Sequence, residues 1–562
     1  MIINALVKRY EDTQAVPPGW QRREASFALE LDESGELLGV VPLGDPGDRK
    51  PKRTLILPST GSGRAGPKAY ETSYFLCDDG SYILGLDPKK FESARKLHTA
   101  LLKDINTTEA RAICAYFNSG IPALPQGIGE KEASNQKYIF FVNGRRIDYD
   151  DCGTQIRQAW ERWESSQKSG GEKIRCLVSG RYDTVIQLHD KVELRGVSMG
   201  KTPLISMNHQ TSFRSYGTTP NDPPAQVGAE TAFAYVTALN DLLKNEKHRQ
   251  YIGGDTLVYW AEDGGGAEEE VFSWTSQAKE DDTDKLDALM QKMSSGRFTD
   301  INGCNFDSRF YLLCLSPNAG RISVRFFHAD SFGAILSNNI AHYRRLEIDK
   351  AGNDRFRYLP IWMILNETTV KKQAADVAPL LGGQLYHSII TGSRYPMTLY
   401  HAMLNRLRAG EEVNKVKAAV VKAVLIRNYD EKEVTTVALN TQTSNKPYAL
   451  GRLFSVLEQL QQRAADSKLN ATIRDRYFAR ACANPGSVFT TILKLSIHHA
   501  AKLDNPVYYE QLKTHLLGKL DVENPFPTAL SLDDQGRFIL GYYHQTQDFF
   551  TSKKIKEEQD NA

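Results

Sequence analysis

Long apolar runs, paired cysteines and an excess of charge of either sign are all missing from this chain, and each absence closes a class of function. No stretch approaches the roughly 18 apolar residues of a membrane span. The nearest, Ala418 to Ile426, is interrupted by Lys422. MIINALV precedes Lys8-Arg9 at the N-terminus, the reverse of a signal peptide's order. The seven cysteines, Cys77, Cys114, Cys152, Cys176, Cys304, Cys314 and Cys482, form no CxxC or CxH pair, which removes zinc ribbons and a disulfide framework. Their dispersed, odd number suits a reducing compartment. A soluble cytoplasmic protein is expected, with no membrane contact, no metal and no cofactor. With 70 Lys plus Arg against 68 Asp plus Glu the net charge is +2, so any nucleic-acid contact must come from charge placed locally. No GxSxG, Walker loop or HExxH with supporting context is found. No catalytic residue is therefore assigned, and a binding protein is expected in preference to an enzyme.

Three partial motifs are present. Gly61-Ser62-Gly63-Arg64-Ala65-Gly66 matches GxGxxG after a strand, but an aromatic, strand-like YFLCDDGSYILGL follows where a dinucleotide site needs a long helix. A loop carrying Arg64, Lys68, Tyr70, Thr72 and Tyr74 is the better account, and such a loop can enter a DNA groove. His189-Asp190 has the order of a metal-binding pair but lacks the further His and Asp residues on helices that such sites need. His498 and His499 are adjacent on a helix and point about 100 degrees apart, so both cannot readily face one metal.

Residues 309 to 347 hold the most informative pattern. Phe310 to Leu315 and Ile322 to Phe327 read as strands, with turn residues Ser316 to Gly320 between them. Period-two alternation puts Arg321, Ser323, Arg325 and Phe327 on one face and Ile322, Val324 and Phe326 on the other. An arginine and aromatic face suits phosphates and stacked bases; the alternative is an edge strand with solvated arginines.

Along the chain the expected class is α+β: mixed N-terminal and middle regions with antiparallel hairpins, then a helical bundle. Residues 2–12 read as a helix, and Phe27–Leu31 with Glu36–Leu43 as a hairpin. Arg49-Lys50-Pro51-Lys52-Arg53 is a basic connector leading into the strand Leu55–Leu57. Tyr74–Cys77, Tyr82–Leu86 and Tyr138–Asn143 read as strands, 90–118 and Gln155–Trp163 as helical. Polar, glycine-rich 165–171 suggests a boundary, giving domains 1–168, 172–368 and 369–562. AEDGGGAEEE and QAKEDDTDK are expected as loops outside the core. Leu450, Leu453, Phe454 and Leu457 carry helical periodicity, and Asn470 and Asn505-Pro506 are expected helix starts. From 441 to 520 there are 11 Lys plus Arg against 5 Asp plus Glu. Arg474, Arg476 and Arg480 lie in that interval, the last two on one face at i, i+4.

SPNAGRISVRFF, FGAIL and HYRRLEI resemble the large subunit of the type I-C CRISPR Cascade, the Csd-type family of RNA-guided surveillance complexes. IINALVKRYED, FLCDDGSYILGLD, the series CLVSG, FRSYG and TAFAYVTALNDLL, and FILGYYHQTQDFF match it in order, so the resemblance spans nearly the whole chain. It departs before FLCDD, where the loop is longer and lacks the usual Pro-Asn, and at Thr546, where a basic residue is expected. The resemblance implies a non-catalytic subunit that recognises the protospacer-adjacent motif in double-stranded target DNA, helps open the duplex, holds the displaced strand and helps recruit a helicase-nuclease. Its implied partners are the guide RNA, the backbone subunits, a small subunit and that helicase-nuclease. Lys68, Tyr70, Thr72 and Tyr74, with Arg64, are the candidates for reading the flanking motif, and Arg49, Lys50, Lys52 and Arg53 for duplex phosphates. Arg321 and Arg325 are candidates for guide RNA or a neighbouring subunit, and Arg474, Arg476 and Arg480 for the displaced strand, in a region that is small-subunit-like from about 440. Two rivals remain: a metal-dependent nuclease using carboxylates such as those around Asp148 to Asp151, and a purely architectural subunit.

Overall fold

A computed structural model describes the chain except at residues 14–15, 45–51, 61–63, 65–68, 124–132, 169–172, 199–201, 208–222, 224, 263, 296–300, 302, 351–354, 466–468 and 561–562, with backbone alone at 167–168 and 552–560. The fold is α+β. It divides into one unit of Met1–Lys244 with Ala319–Ile322, and a second of Asn245–Asn318 with Ser323–Ala562.

In the first unit α1 (Ile2–Thr13) is followed by β1 (Trp20–Ala25), β2 (Phe27–Leu31), β3 (Leu37–Pro42) and β4 (Arg53–Pro58). β2 and β3 form the expected hairpin, closed by Asp32, whose carboxylate accepts from the backbone N–H groups of Ser34 and Glu36 (2.9 and 2.8 Å). β5 (Asp78–Asp79), β6 (Lys137–Val142) and β7 (Arg145–Arg146) complete a sheet of order β3-β2-β6-β5, with β7 on β6; β1 pairs with β4. Against this sheet pack α2 (Pro88–Leu102), α3 (Thr108–Asn118) and α4 (Gly153–Lys168), burying Leu29, Phe75, Ile113, Phe117, Phe140 and Trp160 in one core. The chain then forms the ribbon β8 (Lys173–Arg175) with β9 (Tyr182–Thr184), the short pair β10 (Lys191–Val192) with β11 (Thr202–Pro203), and α5 (Ala229–Lys244).

Two strands expected here do not form. Residues 74–77 are irregular, and 80–83 make one turn of helix. Phe75, Leu76 and Cys77 are buried, as the apolar pattern implied, but the backbone turns through Leu76 at φ 56°. Buried His98 holds that turn: its Nε2 accepts from the Leu76 N–H (3.0 Å) and its Nδ1–H donates to the Ala94 carbonyl (2.8 Å). Both bonds require the neutral ring, and burial pulls its pKa down to about 4.

The second unit is built on an antiparallel sheet of β12 (Arg249–Ile252), β13 (Asp255–Ala261), β14 (Arg309–Asn318) and β15 (Arg321–Ser331), in that order. Central β13 is buried along its whole length, which explains its unbroken LVYWA. The expected hairpin forms, but β14 runs on to Asn318 and the chain reverses at Ala319 (φ 51°). Val324, expected inside, is 44% exposed, although Phe326 on the same face of edge strand β15 is buried. The two acidic stretches, expected as loops, are helical in part: 266–270 open α6 (Gly266–Ser276), and a 3-10 turn at Glu280–Asp282 leads 283–285 into α7 (Thr283–Ser294). Glu268 and Glu269 are buried and accept from the backbone N–H groups of Asn305 (2.6 Å) and Ala261 (3.1 Å), so these carboxylates replace missing backbone partners.

After α8 (Phe332–Leu346) the chain is helical: α9 (Leu381–Thr391), α10 (Met397–Arg408), α11 (Lys415–Tyr429), α12 (Lys446–Arg463), α13 (Ile473–Ala483), α14 (Phe489–Ala500), α15 (Val507–Leu517) and α16 (Leu532–Asp560). Buried α11 contains the run Ala418–Ile426, and its lysines are satisfied internally. Lys415 reaches the Phe356 carbonyl (2.8 Å), Lys417 lies 3.1 Å from Glu411 and also pairs with Glu367, and Lys422 bonds the Glu347 carbonyl. α12 and α16 meet at glycines: a β-carbon on Gly451 would collide with the Phe538 carbonyl oxygen, and one on Gly541 with that of Tyr448. Thr546, where a basic residue was expected, faces this contact and hydrogen-bonds Ser455 (2.8 Å). α13 starts at Ile473, its cap Thr472 lying two residues beyond the expected Asn470, with Asp475 completing a capping box.

Candidate nucleic-acid interface

Asp87 caps α2, accepting from the N–H groups of Lys89 (3.0 Å) and Lys90 (3.3 Å), and Pro88 opens the first turn. This start directs Lys89, Glu92, Ser93 and Lys96 outward along one face. That face floors a groove of about 860 Å³, walled on one side by Tyr70 to Ser73 and on the other by Trp163. Tyr70 and Thr72 are exposed at its rim, and the Lys89 ammonium lies 5.9 Å from the Tyr70 ring centre. Glu71 and Glu92 also line it, but Arg95 grips Glu92 through two bonds of 2.7 Å, which holds that carboxyl below its usual range. Trp163 stacks on Trp160 at 5.1 Å, and Trp160 on buried Phe75 at 5.6 Å, so the groove's aromatic wall is anchored in the core.

The structure separates the expected flank readers. Arg64 is turned inward, where its guanidinium lies between the rings of Tyr74 (3.9 Å) and Tyr82 (3.7 Å), pairs with fully buried Asp78 and reaches Asp79 at 3.3 Å. Asp78 also accepts from the Tyr74 N–H (2.8 Å). Tyr74 is thus part of a cation–ring stack that carries the loop, while Tyr70, whose hydroxyl donates to Glu71 (3.1 Å), and Thr72 stay exposed at the rim. Lys68, Arg49 and Lys50 lie outside the described residues. Lys52 makes an exposed pair with Glu24 (2.8 Å), which contributes little net stability and leaves its ammonium exchangeable, and Arg53 is exposed at the start of β4. Lys89, Lys96 and Trp163 escaped the sequence reading. The signal was there in Asp-Pro-Lys-Lys followed by Arg-Lys at helical spacing.

Arg321 is exposed, but Arg325 is committed: it donates to Ser316 Oγ (2.8 Å) and the Pro379 carbonyl (3.3 Å) and pairs with Asp255 (3.3 Å). Phe327 is stacked on Tyr311 (6.0 Å), itself stacked on Trp260 (5.3 Å), so the ring expected for bases is in use as packing. On α13, Arg474 donates to the Gly410 carbonyl (3.3 Å) and acts on buried Glu458, whose carboxyl is pushed up by burial against bonds from Tyr542 and Thr472. Arg476 and Arg480 are exposed and make no ion pair with described residues.

The carboxylates of 148–151 build a turn. Buried Asp148 pairs with Arg146 and accepts from the Asp151 N–H (3.2 Å). His189 is buried against the Tyr235 hydroxyl (2.7 Å), and burial pulls its pKa down to about 4. Among the described residues no group of three His, Cys, Asp or Glu side chains is placed to hold a metal, and no helix is long and apolar enough to cross a membrane. The seven cysteines are free thiols. The family model of a CRISPR-associated protein, Cas_Csd1, matches residues 5–550. No curated protein matches the chain.

Proposed function

Because this chain belongs to the Cas_Csd1 family of CRISPR-associated proteins, a type I-C Cascade large-subunit family, we propose that it is the subunit that reads the short flanking motif of a DNA target in duplex form. In such complexes guide pairing reads the target sequence, and protein needs only groove contacts, phosphate contacts and a wedge. The observation that supports this most is the groove of α2: exposed Tyr70 and Thr72 offer a ring and a hydroxyl for base edges, and Lys89 and Lys96 offer cations for the adjoining phosphates. Lys52 and Arg53, at the entrance of β4, extend the basic surface for the duplex. Arg476 and Arg480 would hold the displaced strand by its backbone, within a small-subunit-like region from about 440. Guide RNA, backbone subunits and a recruited helicase-nuclease are the partners of this reading, and no catalytic step is assigned to the chain.

Assembled complexes with and without this chain, titrated with duplexes bearing a correct or a scrambled flank, test the proposal. A preference for the correct flank that disappears when the chain is omitted supports it. An equal preference without the chain would leave it an architectural subunit, and metal-dependent cleavage by the purified chain would return the nuclease reading.

A further inference from the structure

The groove along α2 carries a carboxylate that no cation of the protein neutralises. Glu71 and Glu92 both line it, and they differ. Glu92 is gripped by Arg95 through two bonds of 2.7 Å and lies 3.8 Å from the Lys96 ammonium, so its charge is answered within the helix. Glu71 is exposed and makes no ion pair with a described residue; its carboxylate accepts from the Tyr70 hydroxyl (3.1 Å).

The main chain holds Glu71 in place. It ends a single 3-10 turn, Ala69–Glu71, and its carbonyl accepts from Ser93 Oγ on α2 (2.6 Å). The next carbonyl, of Thr72, accepts from Arg64 Nε (2.5 Å), and Arg64 is fixed in turn by Asp78 and the rings of Tyr74 and Tyr82. Side chains from two separate parts of the unit therefore set where this turn presents its carboxylate.

An unpaired carboxylate repels the phosphates of a duplex. Facing DNA, it is favourable only where it meets a hydrogen-bond donor, and the donors on base edges are the exocyclic amino groups. The neighbouring hydroxyl suits the same target: with its proton directed at Glu71, the Tyr70 oxygen presents lone pairs. Two acceptors side by side select an amino group and reject thymine, whose major-groove edge carries an acceptor and a methyl. Cytosine N4 is the amino group that a carboxylate pairs with best. Adenine N6 lies beside that base's own N7 acceptor, and guanine N2 lies in the narrow minor groove among acceptors.

We propose that Glu71 is a specificity-determining residue of the flank-reading groove, its carboxylate accepting from N4 of a cytosine in the major groove with the Tyr70 oxygen beside it. The assignment rests on the reading that this groove meets the flanking motif, and it adds which base edge is read at one position.

The test offers assembled complexes a pool of duplexes with randomised flanks and sequences the bound and unbound fractions. Four complexes are compared: with the unaltered chain, with Glu71→Gln, with Glu71→Ala and without the chain. The unaltered chain selects cytosine over thymine at one position. Both variants lower that selection about 5- to 150-fold, at that position alone. Affinity for a scrambled duplex does not fall, because a repelling charge has been removed. Selection of thymine or adenine at the responding position, or an unchanged profile in folded Glu71→Gln, overturns the assignment. Equal loss of selection at every position overturns it too, and makes Glu71 a support of the loop. A profile that is the same with and without the chain refutes flank reading, and the assignment falls with it. A profile that needs the chain but ignores Glu71→Gln refutes the assignment and leaves flank reading standing.

Discussion

Replacing Arg476 and Arg480 together by alanine isolates the displaced-strand contact. The sequence puts three arginines on this segment, which would predict a salt-slope change of about 2 at ~0.7 per phosphate on a single strand. The structure lowers that number. Arg474 is spent on the Gly410 carbonyl and on the neighbourhood of Glu458 and Tyr542, so two free guanidinium groups remain and the change should be about 1.4. Folding should be unaffected within about 0.5 kcal/mol, since both side chains are exposed and alanine is the best helix former. The assay is R-loop lifetime and single-strand affinity of the assembled complex over a range of salt. A flattened slope with flank preference retained is the expected result. An unchanged slope in the folded double variant, or an equal flattening by Arg474→Ala alone, refutes the reasoning.

Three further outcomes are expected. Arg64→Ala leaves Asp78 buried without its cation, which should cost about 3 kcal/mol or more in chemical denaturation, while Arg64→Lys recovers only part because the planar stack between Tyr74 and Tyr82 is lost. Stability should fall as pH drops from about 6.5 towards 4: His98 is held neutral in the fold with its pKa lowered to about 4, the unfolded chain takes up a proton first, and the difference is about 3 kcal/mol below both values. His98→Phe should flatten that part of the pH profile. Gly541→Ala should lower stability by about 1–3 kcal/mol through the collision with the Tyr448 carbonyl, seen as a lower unfolding midpoint of the full chain.

Elements whose periodicity reports burial were legible in the sequence. α1, the β2–β3 hairpin, the strand at 138–142 and the amphipathic helix of Leu450, Leu453, Phe454 and Leu457 all appear where apolar spacing puts them. Apolar spacing failed where side chains, and not backbone ladders, hold the main chain. Phe75, Leu76 and Cys77 are as buried as a strand, yet His98 and Asp78 fix them in a turn. Charge misled in the same way: AEDGGGAEEE looks solvated, but Glu268 and Glu269 serve as buried acceptors. At the candidate interface, Tyr70 and Thr72 were within reach of sequence reasoning because they sit in one loop. Lys89, Lys96 and Trp163 come to the same groove from two helices, and that convergence is tertiary. Arginine count overstated the available charge, since Arg64, Arg325 and Arg474 are all turned to internal partners that lie far along the chain or across a turn.

Flank reading by the α2 groove is tested most directly by the ratio of affinities for correct and scrambled flanks, measured on complexes assembled with Tyr70→Ala/Thr72→Val or with Lys89→Ala/Lys96→Ala. Base-edge contacts carry sequence information and phosphate contacts do not. The first pair should therefore lower the ratio about tenfold or more, while the lysine pair weakens both duplexes alike and leaves the ratio unchanged. A ratio untouched by Tyr70→Ala/Thr72→Val, with guide assembly intact, contradicts the account.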